Sequence, residues 1–419
     1  MGIRSGAGAQ VTPDVTDRPG RGEALASASM LRLLSGAERQ LWLLGIRNPF
    51  NVVLVLRFDD PARRPSVDAL RAPLAVALAM LQGRHPLLRT RVGLDGSCAP
   101  AFYLSDAPVA LRVADDQERL DDAIEDELAT RLDLEHGPAL RLCLFAPGDD
   151  KPPVATSDPA PTSREKDPAV DAVLLTFDHS ASDGVSMLSF LRELLDALPP
   201  PIGAGRVFEA RDATPEHIAP LALAFPPEAR GLGMWGRYLG LRWREQCHHL
   251  RHGRPRQLAC ASTASLPGSA LDPSGGARTH VLRRDLAPHE VLGLEAIARE
   301  EGCSLHGLLT AAQLLSVRAL FEDAGPVALA AYSPTDLRPR VRLGGRRGVA
   351  ADHLGQFVGY ARSLHEISAG DALLDVARQV SSALRRRLRA FDDVGYQRLN
   401  HLSMAALAPF LPNDPRGAS

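Results

Sequence analysis

The chain has little that would tie it to a disulfide framework, a nucleic acid or a membrane. Its five cysteines, Cys98, Cys143, Cys247, Cys260 and Cys303, are scattered, and no two form a C-x-x-C pair. That pattern excludes a disulfide scaffold and a structural zinc site, and makes a reducing cytoplasm the expected location. Lysine occurs only at Lys151 and Lys166, so arginine carries nearly all the positive charge. The totals, 48 Lys+Arg against 50 Asp+Glu, leave a net charge of -2. No excess of one sign is available to hold nucleic acid or an anionic membrane. No stretch approaches the ~18 uninterrupted apolar residues of a membrane span. Met1 to Ala24 has no apolar run after its arginines, so no secretory signal is expected. Gly6 stands where a myristoylation site needs Ser or Thr.

What is present is an ordinary globular composition in 419 residues, with 45% hydrophobic and 23% charged residues. That is enough for two to three ordinary domains or one large two-lobed body. Residues 1–28 have no period and are expected to be a disordered tail. Ser35 and Glu38 have capping-box spacing ahead of Leu41, Trp42 and Leu44. Val52–Phe58 reads as a strand. Val67–Gln82 repeats Leu70, Leu74, Leu78 and Leu81 at helical spacing. Leu120–Leu132 reads as an acidic amphipathic helix, and Leu140–Phe145 as a half-buried strand. Residues 147–169 are rich in proline, charge and small polar groups, and are expected to be a disordered insertion. Val170–Phe177 resumes the sheet, and Gly184–Leu198 is a helix stopped by Pro199, Pro200 and Pro201.

The first lobe should therefore span 29–200. Residues 201–278, Pro/Gly/Arg-rich with one helix at Leu232–Leu250, read as an inter-lobe linker. A second lobe is expected over 279–408, with a tail over 409–419. Its expected elements are strands at His280–Asp285, Val327–Tyr332 and Gln356–Ala361, and helices at Pro288–Glu301, Ser304–Phe321 and Asp371–Ala390. The end of this lobe reads as an apolar turn.

One constellation carries chemistry. The strand Val170–Phe177 runs into Asp178-His179-Ser180-Ala181-Ser182-Asp183-Gly184 and then straight into a helix, a His-x-x-x-Asp-Gly pattern at a strand–turn–helix junction. Reactive groups are often placed where buried strands end. Each residue also has an ordinary use: Asp183 as helix N-cap, Gly184 as a turn residue, His179 as a satisfied histidine. A metal pair from His179 and Asp183 finds no third ligand at a recognisable spacing. Cys303, Glu300, Glu301, His248 and His249 read as surface-helix or core residues.

The motif resembles the active-site signature of the condensation-domain and CoA-dependent acyltransferase superfamily, whose members share the chloramphenicol acetyltransferase-like fold. Further segments agree in the family's order. Residues 81–89, LQGRHPLLR, resemble its "hPxLR" segment, and residues 133–141, DLEHGPALR, the stretch before its second strand. Ser304–Leu315 resembles the helix that opens the second lobe. Residues 333–338, SPTDLR, resemble its DLR element, and residues 355–359, GQFVG, its "GN.vg" strand. The likeness runs from about Leu31 to Leu388 and is greatest to stand-alone polyketide-associated acyltransferases that esterify lipid alcohols.

The resemblance implies an α/β (α+β) fold of two such lobes, each a mixed sheet with flanking helices. It implies acyl transfer from a CoA or carrier-protein thioester to a small-molecule alcohol or amine in specialised or lipid metabolism. Acyl-CoA or acyl-phosphopantetheine would be the donor substrate, with no permanently bound cofactor. His179 is implied to be the general base, a task that suits imidazole near neutral pH. Asp183 is implied to be structural and to pair with Arg338, and Gly184 to let the backbone turn tightly. The thioester is already activated, and the chain has no G-x-S-x-G elbow to make an acyl-enzyme.

Two departures stand out. Many members carry a second histidine where this chain has Asp178. Only 81 residues, 339 to 419, follow Arg338, so the second lobe is expected to lack part of its sheet. Two alternatives stay open: a non-catalytic or truncated relative that binds a carrier protein, and an amide-forming condensation enzyme.

Overall fold

A computed structural model describes residues 29–114, 119–146, 168–212, 219–256, 279–322, 325–343 and 345–407. The tails expected over 1–28 and 409–419 lie outside these residues. So does most of the expected insertion, apart from Pro168 and Ala169. These two dock at the start of a helix, where the Val67 N–H donates to the Pro168 carbonyl at 3.0 Å.

The N-terminal part runs β1 (Met30–Leu33), α1 (Gly36–Arg47), β2 (Asn51–Arg57), α2 (Val67–Arg84), β3 (Thr90–Leu94), β4 (Pro100–Leu104), β5 (Ala110–Val113), α3 (Leu120–Ala129), β6 (Leu140–Phe145), β7 (Ala172–Asp178) and α4 (Gly184–Ala197). Its main sheet has the order β2-β7-β6-β5 and is mixed, since only β5 and β6 run parallel. One face of β7 presents Val173, Leu175 and Phe177 to Leu70, Leu74, Leu78 and Leu81 of α2 and to Phe190 of α4. That is the larger core, and the four leucines at helical spacing are all buried in it. The other face presents Ala172 and Leu174 to Ala123 and Ile124 of α3. A second sheet, β1-β4-β3, packs Phe102 against Leu87 and Val92. The α1 start keeps its capping spacing, with the Ser35 N–H donating to Glu38 at 2.7 Å.

The middle section holds α5 (Leu221–Ala224) and α6 (Gly231–His252). This is more than a linker, because α6 is tied to the C-terminal part: Glu245, 3% exposed, pairs with Arg362 at 3.0 Å.

The C-terminal part runs α7 (Pro288–Glu300), α8 (Leu305–Arg318), β8 (Val327–Asp336), β9 (Arg342–Leu343), β10 (Arg346–Arg347), β11 (Val358–Ile367), α9 (Leu373–Arg389) and α10 (Asp392–Leu407). Its larger sheet, among the described residues, is the antiparallel pair β8–β11, in unbroken register from Val327↔Ile367 to Asp336↔Val358, and β9 and β10 form a short second pair. The core beneath it gathers Leu308, Ala311 and Leu314 of α8 with Val376, Ala377 and Val380 of α9.

Two further expectations change. His280–Asp285 is not a strand. The Val281 N–H donates to the Glu125 side chain at 2.8 Å instead of to a strand, and Arg283 reaches Asp121 at 3.5 Å. The segment therefore lies along α3 of the N-terminal part, with Val281 in its apolar seam. The expected C-terminal apolar turn is the helix α10. It bridges the two parts: His401 accepts from the Gly36 N–H at 3.1 Å, and Asn400 donates to Gln40 at 2.6 Å.

One buried group should set acid stability. His365 on β11 is 1% exposed, and burial, with His248, Arg386 and Arg387 nearby, pushes its imidazole down to about 4. An unfolded histidine titrates near ~6.5, so between these values the unfolded chain binds more protons. The stability from neutral His365 is thus present above that range and lost as pH falls through it. His365→Leu should remove up to about 3 kcal/mol of the decline between pH ~6.5 and ~4. Urea unfolding at several pH values measures this, and a variant with the parent's pH slope would contradict it.

Candidate active site

The motif sits where β7 ends and turns into α4. The His179 N–H donates to the Phe50 carbonyl at 3.0 Å, and its ring stacks on Phe50 with centroids 5.5 Å apart and planes 13° apart. The ring is half-buried. Its Nδ1 lies 2.9 Å from the Ser182 carbonyl oxygen. A carbonyl only accepts, and the Gln356 amide nitrogen 3.1 Å from the same Nδ1 has both its hydrogens directed at carbonyls, so Nδ1 carries the proton and Nε2 of the neutral ring keeps its lone pair. That tautomer suits a base acting through Nε2. From the C-terminal part, the Gln356 side-chain amide donates to the carbonyls of both His179 and Ser182 and so clamps the loop.

Asp183 combines two uses. As N-cap of α4 its Oδ1 accepts from the Ser186 N–H at 2.8 Å. It also meets Arg338 in a two-pronged pair, Nη1 to Oδ2 and Nη2 to Oδ1, both 3.0 Å. Asp183 is 0% and Arg338 2% exposed. The Phe357 N–H adds a third donor at 2.7 Å, and the Arg338 guanidinium lies 4.8 Å from the Phe357 ring centre. One carboxylate of the N-terminal part is thus wrapped by donors of the C-terminal part. Arg84 makes a second crossing, to Glu193 at 2.9 Å and Asp352 at 3.0 Å.

Gly184 is placed beside this pair, but tight turning is not its reason. Its φ is not in the left-handed region, and an added Cβ would meet nothing within 4 Å. The glycine leaves open space at the start of α4. Gly355 is the strained position: its φ is +148°, and a Cβ there would sit 3.0 Å from the Phe357 ring.

Asp178 is buried on the side of β7 away from α2. Its Oδ1 accepts from the Ser180 N–H at 2.9 Å and from the Ser180 hydroxyl. Burial pushes its carboxyl above the ordinary range.

Sequence reasoning missed Ser186 and Gln356 as site residues. Ser186 Oγ accepts from Arg338 at 2.7 Å and donates to the Gly355 carbonyl at 3.0 Å. Its spacing of three from the capping Asp183 was the available signal. Among the described residues no group of three His, Cys, Asp or Glu side chains could hold a metal, and no helix is long and apolar enough to cross a membrane.

The chain has the fold of the condensation-domain and CoA-dependent acyltransferase superfamily, a mixed α/β architecture. Within it, residues 275–410 match the family described as phthiocerol/phthiodiolone dimycocerosyl transferase C-terminus. Polyketide synthase associated protein 5 from Mycobacterium tuberculosis is 17% identical, with 88% of this chain covering 76% of that one at a TM-score of 0.55. Trichothecene 15-O-acetyltransferase from Fusarium sporotrichioides is 15% identical, with 91% covering 77% at 0.61. The first condensation domain of the calcium-dependent antibiotic synthetase is 19% identical, with 86% covering 74% at 0.55. At such identities the likeness is one of fold. No curated protein matches the chain by sequence.

Proposed function

We propose that the protein is an acyltransferase that moves an acyl group from a CoA or carrier-protein thioester to an alcohol or amine, with His179 as general base. The observation that carries this reading is the held imidazole: Nδ1–H is committed to the Ser182 carbonyl, which leaves Nε2 to take a proton. In the step, the acceptor oxygen or nitrogen bonds to the thioester carbonyl carbon while Nε2 removes its proton. The tetrahedral adduct then breaks its C–S bond, and the thiolate leaves with a proton returned from the imidazolium. No covalent enzyme intermediate is needed. Holding donor and acceptor together supplies much of the acceleration. Asp183 and Arg338 do not touch the reacting atoms in this reading; they hold the His179 loop against the C-terminal part. The match of residues 275–410 to a transferase family supports the assignment.

A second reading draws on the two-stranded C-terminal sheet: a non-catalytic relative that binds a carrier protein. Release of free thiol from a panel of acyl-CoA and acyl-carrier donors, with alcohol and amine acceptors, separates the two. Acceptor-dependent thiol release supports the transferase. Carrier binding without it supports the second reading.

A further inference from the structure

The residue before His179 uses its two carboxyl oxygens differently. Asp178 Oδ1 holds Ser180, whereas Oδ2 has no hydrogen-bond partner among the described residues although Asp178 is only 6% exposed. A cavity of about 360 Å³ opens at this residue, between α1, β3 and the segment after α3. Oδ2 is reached from the cavity and is open to a donor brought by a ligand. The cavity's size falls within the ~300–1,000 Å³ of small-molecule sites, which are mostly apolar with a few fixed polar groups. Here Trp42, Ile46, Val92, Leu94 and Leu134 line it. The way to the oxygen passes Gly45 of α1, where an added Cβ would lie 3.8 Å from Oδ2, in ordinary contact. The exposed rim carries Arg131, Asp133 and Glu135. The Arg131 guanidinium donates to the Ile46 carbonyl. With Asp178 ionised, carboxylates outnumber this one cation, so an anionic head is disfavoured.

We propose that this cavity binds a small apolar molecule whose hydroxyl or ammonium head donates to Asp178 Oδ2, a binding that does not depend on the proposed acyl transfer. The two head groups share one chemistry, a donor on an apolar body, and the probes tell them apart.

The test is calorimetric titration of the full chain with 1-octanol, octylammonium and octanoate. Octanol, octylammonium or both should bind, and octanoate should bind at least about tenfold more weakly. Gly45→Leu, which projects across Oδ2, should weaken the probe that binds by about tenfold or more while the Tm is kept. Asp178→Asn should hold octanol within about threefold and weaken octylammonium by about tenfold, because the amide still accepts but has lost its charge. His179→Ala should leave all three affinities unchanged. Binding of neither donor probe, octanoate binding as tightly, or full affinity in both Gly45→Leu and Asp178→Asn would overturn the subsite. Octanol bound without any acyl transfer would sink the reaction and leave the subsite standing. Turnover without probe binding would do the reverse.

Discussion

Replacing Asp183 with alanine is expected to cost roughly 3–5 kcal/mol of folding stability, because it leaves the buried Arg338 charge with the partly exposed Asp336 as its one remaining ionic partner among the described residues. The change strips more than one bond. Both guanidinium contacts go, and so do the acceptors of the Ser186 and Phe357 N–H groups. Arg338 keeps only Asp336 at 3.2 Å, Ser186 Oγ at 2.7 Å and the His353 carbonyl at 3.3 Å. Activity should fall too, since the loop is no longer held to the C-terminal part. Urea unfolding of Asp183→Ala, Arg338→Met and the double variant gives the coupling between them. The double variant should lose clearly less than the two single losses added, because removing both charges leaves no fully buried charge of the pair uncompensated, and Asp336 is partly exposed. Additive losses, or an Asp183→Ala cost below about 1 kcal/mol, would mean that the pair is not what joins the two parts.

Replacing His179 with alanine is expected to lower acyl transfer by roughly 10²–10⁴-fold, the usual contribution of a positioned general base. Stability should change little. The ring is half-buried, and its losses are the stacking contact with Phe50 and the Nδ1 contacts with Ser182 and Gln356. The loop keeps its backbone bond from the His179 N–H to Phe50 and the Gln356 clamp. The two variants therefore separate: Asp183→Ala loses fold and activity together, whereas His179→Ala loses activity alone.

Much of the N-terminal part was legible because its elements are long and one-sided. The leucines of α2 state their period openly, and β7 is a continuous apolar run buried on both faces. The short strands β3, β4 and β5 were not legible. They have four or five residues each, and a tight turn at Asp95–Ala99 separates β3 from β4. The helix α10 was hidden for another reason. Beside the buried Val394, its inward positions are largely polar: Asp393 pairs with Arg340 at 2.9 Å and Gln397 donates to the Val358 carbonyl at 2.7 Å, while His401 holds the start of α1. A helix that packs through hydrogen bonds shows no apolar stripe. His280–Asp285 misled in the opposite direction, since its His280 and Arg283 serve ion pairs to α3 rather than a sheet.

At the candidate site the motif itself was legible, because His179, Asp183 and Gly184 are close in sequence. What surrounds it was not. Arg338 lies 155 residues from Asp183, and Gln356 lies 177 residues from His179. Arg338 was reached only through the resemblance. Gly184 was read through its freedom to turn, whereas the structure shows empty space where a side chain would stand. Asp178 was read as a departure from a family pattern, and the free oxygen it turns toward a cavity became visible only with α1 in place.

The most direct measurement of the central claim is the acceptor-dependent release of thiol from an acyl thioester, taken for the parent chain and for His179→Ala on the same donor and acceptor. The account predicts turnover by the parent, a fall of roughly 10²–10⁴-fold in the variant, and an unfolding curve that the substitution hardly moves. Turnover by a folded His179→Ala close to that of the parent would contradict it.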